Sequence, residues 1–76
     1  MTIKEAVTIS PDILGGTPVF SGTRVAVKTL FDYLEESSLD DFLEGYPSVS
    51  REQAETVIEW SSSLMLKVLQ QYESIA

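Results

Sequence analysis

Apolar residues along this chain first alternate with polar ones and then settle into a helical period. Ile3, Glu5, Val7 and Ile9 fall on one side of an extended segment, with Lys4, Ala6 and Thr8 on the other. That alternation predicts a strand whose apolar face Glu5 interrupts. Ser10-Pro11-Asp12 supplies turn chemistry, and Gly15-Gly16-Thr17-Pro18 a second bend. Val19-Phe20 and Thr23-Arg24-Val25 then flank Ser21-Gly22, a spacing that predicts a tight hairpin with Gly22 at the position needing positive φ.

From Val27 the period changes to 3.6. Val27, Leu30, Phe31 and Leu34 share one face of a helix that ends near Glu35-Glu36. Ser38 with Asp41 forms a capping-box pattern for a short second helix, whose apolar face is Leu39, Phe42, Leu43 and Tyr46 and which Gly45 and Pro47 stop. Ser50 with Gln53 caps a third helix, and no Gly or Pro interrupts residues 51–76. Its stripe of Ala54, Val57, Ile58, Ser61, Met65, Val68, Leu69 and Tyr72 suits a small core. Its distal part, with Leu64, Met65, Leu66, Val68 and Leu69, is apolar nearly all round and needs cover on more than one side. The three serines at 61–63 are weak helix formers that allow a break there. The expected architecture is mainly α, with a small N-terminal strand and hairpin. One domain divides into β-structure at 1–25, a three-helix helix-turn-helix head at 26–60, and a C-terminal helical extension at 61–76.

Seventy-six residues suffice for one domain with a small core. Domains of this size often lean on disulfides, metals or self-association, and the chain has neither Cys nor His. Disulfides, zinc sites and Cys/His catalysis are thereby excluded, leaving a second copy or a partner chain as the supplement. No apolar run is long enough for a membrane span and no basic-then-apolar leader is present, so a cytoplasmic protein is expected. The formal net charge of −7 opposes a polyphosphate partner and favours a basic one.

Four groups of residues invite a chemical reading. The second and third helices have helix-turn-helix spacing, which would present Ser50, Arg51 and Gln53 to base edges, although Glu52 and Glu55 flank the one basic residue. Gly15-Gly16 lacks the following helix that makes a phosphate loop useful, so it reads as a bend. Asp40, Asp41 and Glu44 read as a solvated helix face rather than a metal site, and no Ser or Thr has a His base. No enzyme activity and no cofactor are expected. Arg24 and Lys28 stand close together beside the hairpin and are expected to pair with neighbouring acids, though they are also among the few basic spots for a phosphate. The distal apolar helix is the strongest signal, for burial in its own chain, a dimer seam or a foreign protein.

Ile9 through Pro11-Asp12-Ile13-Leu14-Gly15-Gly16-Thr17-Pro18-Val19-Phe20, then Gly22-Thr23-Arg24-Val25 and Val27, closely resembles the signature of family 433 of the domains of unknown function. The resemblance continues through Ser38-Leu39-Asp40-Asp41-Phe42-Leu43, Tyr46-Pro47 and Ser50-Arg51-Glu52-Gln53-Ala54, covering roughly residues 3–60. Its motif residues are Gly15, Gly16, Pro18, Gly22, Thr23 and Arg24. Members commonly carry Pro where Ala26 stands and Gly in the turn occupied by Glu36-Ser37-Ser38. The resemblance implies a homeodomain-like helical head preceded by β-structure. For members encoded beside a PIN-like ribonuclease, it implies an antitoxin of the VapB class.

An acidic chain with surplus apolar helix suits that role on independent grounds. Trp60, Leu64, Met65, Leu66, Leu69 and Tyr72 are then the residues expected to dock on the toxin, with Glu59 and Glu73 facing its basic groove. Two other functions stay open. One is a helix-turn-helix DNA-binding autoregulator, acting alone or with its partner; the other is a homodimeric interaction module.

Overall fold

The structure is a computed structural model that describes residues 1–75. Its first element departs from the alternation. Helix α1 (Ile3–Ala6) occupies the segment expected to be strand, and only β1 (Val7–Thr8) is extended. The cause lies at Thr2, whose Oγ1 accepts from the Glu5 backbone N–H at 3.3 Å while the Glu5 carboxylate accepts from the Thr2 backbone N–H at 2.8 Å. This reciprocal capping box satisfies two N-terminal donors and outweighs an alternation that Glu5 already broke. A single helical turn has no stability of its own, so tertiary contact must hold it. Ala6 is buried and α1 packs against the last helix. Thr2→Ala is expected to lower the unfolding free energy by about 1 kcal/mol. Urea denaturation checks this, and an unchanged midpoint would remove the box from the account.

β1 pairs antiparallel with β2 (Val19–Phe20), Val7 opposite Phe20 and Thr8 opposite Val19. The expected bend lies between them as a 3-10 turn at Leu14–Gly16, with Gly15 at φ 63° and Gly16 at φ 92°. The expected hairpin is correct at its turn. Gly22 has φ 79°, and the Thr23 backbone N–H and hydroxyl both donate to the Phe20 carbonyl, at 3.0 and 2.8 Å. Its return arm shrinks to one bridge between Val19 and Ala26, flanked by hydrogen bonds from the Phe20 N–H to the Val25 carbonyl and from the Val27 N–H to the Pro18 carbonyl, both 3.0 Å, because the chain turns helical at Val27.

The three expected helices follow as α2 (Val27–Leu34), α3 (Leu39–Gly45) and α4 (Arg51–Ile75). On α2, Leu30 is buried and Val27 and Leu34 are half-buried, but Phe31 lies outside at 37% exposure. Tyr33 takes the inner place, its ring 5.8 Å from Phe42 and 6.0 Å from Tyr46. The tyrosine keeps its polar end near the surface while its ring packs edge-on, which Phe31 cannot match from the far side. Ser38 and Asp41 form the expected capping box, and Phe42 is fully buried with Leu39, Leu43 and Tyr46 around it. Helix α4 runs unbroken through residues 61–63; Ser62 Oγ donates back to the Ile58 carbonyl at 3.0 Å instead of ending the helix. Ala6, Phe20, Leu30, Phe42, Val49, Ala54 and Val57 make one core. Among the described residues, no helix is long and apolar enough to cross a membrane.

Candidate protein-docking surface

Helix α4 has two unlike halves. The first buries Gln53, Ala54 and Val57 and half-buries Thr56, Ile58 and Ser61, while every residue from Ser62 to Glu73 is exposed. At 100° per residue, Leu64, Met65, Val68, Leu69 and Tyr72 continue the face that Ala54, Val57 and Ser61 turn toward the core. The sequence thus extends a core stripe well past the point where the head ends. Leu66 projects from the other side, and Trp60 stands at the flank. All seven of these large apolar side chains are 47–68% exposed.

At the inner end of the stripe lies an apolar groove of about 290 Å³, lined by Ile3, Val7, Ile9, Pro18, Val27, Val57, Trp60 and Ser61. Ile3, Val7 and Ile9 are the residues whose alternation suggested a common face; they share one, though on a helix-to-strand junction rather than a strand. The signal that could have marked them as a surface feature is Ile9, an apolar residue just before the Ser10-Pro11 turn. Val57, Trp60, Ser61 and Leu64 stand at i, i+3, i+4 and i+7, so groove and stripe are continuous. Docking candidates Trp60, Leu64, Met65, Leu66, Leu69 and Tyr72 are therefore brought onto one exposed half-helix, with the groove at its base. Glu59, Lys67 and Glu73 are exposed beside them.

The start of α4 is committed differently. Gln53, at 8% exposure, accepts from the Ser50 backbone N–H through Oε1 at 3.0 Å and donates through Nε2 to the Ser21 carbonyl at 3.0 Å. Ser50 Oγ in turn accepts from the Gln53 backbone N–H at 3.0 Å. Both ends of the Gln53 amide are thus spent inside the domain, tying α4 to the turn after β2, and Ser50 serves as the cap. Arg51 is ion-paired with Asp40 on α3 and lies 3.7 Å from Glu55. The hydrogen bond to Asp40, then the charge of that carboxylate, push the guanidinium further toward its charged form. Lys28 is likewise raised, first by its 2.6 Å hydrogen bond to Asp32 and then by that charge. Of the basic spots near the caps and turns, these two face acids, and Arg24 is exposed.

The motif residues shape the β region. Gly15, Gly16 and Gly22 hold the positive-φ turns, Thr23 closes the second of them, and the Pro18 carbonyl accepts from the Val27 N–H at 3.0 Å while its ring lines the groove. One link that local patterns do not reveal is the 2.8 Å hydrogen bond between the Thr8 and Ser21 hydroxyls, which binds the turn after β2 to β1.

The sequence profile of the family described as "Protein of unknown function (DUF433)" matches residues 7–60. A curated relative, the uncharacterized protein y4eO of Sinorhizobium fredii, is 48% identical over 50 residues, a stretch covering 64% of this chain and 23% of the relative. The chain thus spans less than a quarter of that relative's length. No solved structure matches it significantly. The chain belongs to the DUF433 family.

Proposed function

We propose that this DUF433 chain is the antitoxin-like half of a toxin–antitoxin pair, a cytoplasmic protein of the VapB class that holds a PIN-like ribonuclease by protein contact. The observation that carries the docking role is the distal half of α4, where Leu64, Met65, Leu66, Leu69 and Tyr72 are exposed with Trp60 at their base. An amphipathic helix laid into an apolar groove is a common mode of protein recognition, read through anchors at helical spacing. The nuclease as partner follows from the resemblance of the motif residues and from charge. A nuclease groove that attracts RNA is basic, and a chain of net charge −7 approaches it favourably, with Glu59 and Glu73 flanking the apolar anchors. Direct base reading by Ser50, Arg51 and Gln53 has weaker support. Gln53 is spent within the domain, and acids neutralise Arg51.

The test is co-expression with the neighbouring reading frame. A complex that co-purifies with the native chain is expected to be lost when Leu66→Asp and Leu69→Asp are combined. Both positions are exposed, so the head should retain its native circular dichroism. Retention of the complex by the double variant would move the docking surface off α4.

A further inference from the structure

We infer that in the free protein the exposed stripe of α4 is covered by a second copy of this chain, each copy laying the end of its α4 across the groove of the other about a two-fold axis near Met65. Three observations carry this beyond the toxin reading, on which it does not depend.

The first is the register. The stripe can reach a partner's groove only if α4 runs antiparallel to its mate, because a two-fold axis across two packed helices reverses their direction. For Leu69 and Tyr72 to oppose Val57, Trp60 and Ser61 of the other copy, paired positions must sum to about 130, which places Met65 at the axis. Leu64, Met65 and Val68 then form the seam, and Leu69 and Tyr72 enter the groove of about 290 Å³.

The second is charge. Residues 61–76 contain one base, Lys67, and one acid, Glu73, so the −7 excess lies within residues 1–60. The helical end itself is therefore neutral overall and meets its own copy without the repulsion that the head would impose. The third is area. The five stripe residues are 47–68% exposed and run on into the groove, so covering them wholly in both copies reaches roughly the 1,200 Å² at which stable interfaces begin. A foreign protein that took the same stripe would have to displace the second copy.

The absence of cysteine makes the arrangement directly testable. Light scattering on the free native chain should give twice 8.4 kDa at tens of micromolar. Met65→Cys should form a disulfide-linked dimer under mild oxidation, whereas Ser48→Cys, in the turn before α4, should not. Ile9→Glu, at an exposed position on the groove wall, should weaken the dimer tenfold or more while leaving the circular dichroism unchanged. A monomeric native chain, a Met65→Cys protein that cross-links no better than Ser48→Cys, or a dimer indifferent to Ile9→Glu each overturns the inference. None of these results bears on whether the co-expressed partner binds, so this arrangement and the toxin reading fail separately.

Discussion

Phe42→Ala is expected to remove about 3–5 kcal/mol of stability, the usual loss when a fully buried phenylalanine is truncated and the cavity only partly collapses. Phe42 is the hub of the aromatic cluster, with ring centroids 6.1 Å from Phe20, 5.8 Å from Tyr33 and 5.0 Å from Tyr46. Through those contacts it joins β2, α2, α3 and the start of the α3–α4 turn. A domain of this length has about 4–11 kcal/mol in total. The variant should therefore melt at least about 10 °C lower, and it will be largely unfolded if the native stability lies at the low end. Phe31→Ala is the matching control. The helical period placed Phe31 on the inner face of α2, but it is 37% exposed, and its removal should cost no more than half as much. Equal losses in thermal or urea unfolding would mean that the packing of α2 is not as described.

That pair of phenylalanines shows where the sequence was legible and where it was not. The helical period and two capping patterns are local signals, and local signals delivered α2, α3, α4 and the turns at Gly15, Gly16 and Gly22. Thr2-x-x-Glu5 carried the same kind of signal as Ser38 and Ser50. Alternation masked it, because four residues can alternate and still form one helical turn. Which of two aromatics two residues apart in a helix, Phe31 or Tyr33, faces inward is decided by the ring geometry of the whole cluster, and that involves three other elements. The exposed apolar stripe of α4 was legible for a related reason. A helix that stays apolar past the length of its domain is visible without tertiary information. The groove at its base was not, because Ile3, Pro18 and Val57 converge only after β1 pairs with β2.

Gln53 is the sharpest case of a residue whose role depends on distant backbone. In sequence it stood at the exposed start of a candidate recognition helix, and in the fold it bridges Ser50 and Ser21, 32 positions apart at its far end. Gln53→Glu tests this by changing one donor into an acceptor. When ionised, the introduced carboxylate still accepts from the Ser50 N–H, but its second oxygen faces the Ser21 carbonyl in a nearly buried site. The lost bond and the desolvated charge should together cost about 2–3 kcal/mol at pH 7. When protonated, the same group donates to the Ser21 carbonyl and restores the bridge. Its pKa in the folded state must therefore lie above the roughly 4.3 of an unfolded glutamate. For a carboxyl raised in this way, the bridge is fully present below the unfolded value and is lost as pH rises through the folded one. The stability gap between the native chain and Gln53→Glu should accordingly be small near pH 4 and widen to its full size by about pH 7. Glu5 acts with the opposite sign. Its pKa is lowered chiefly by the Thr2 backbone N–H, so its stabilisation is present above 4.5 and fades as pH falls through the lowered value. Both proteins share that contribution, and it cancels in the difference. Gln53→Ala, which cannot titrate, should show a gap that does not change with pH. Urea unfolding across pH 4–7 separates these outcomes: a gap for Gln53→Glu that stays near zero throughout would release Gln53 from the core of the fold and return it to the exposed face of α4.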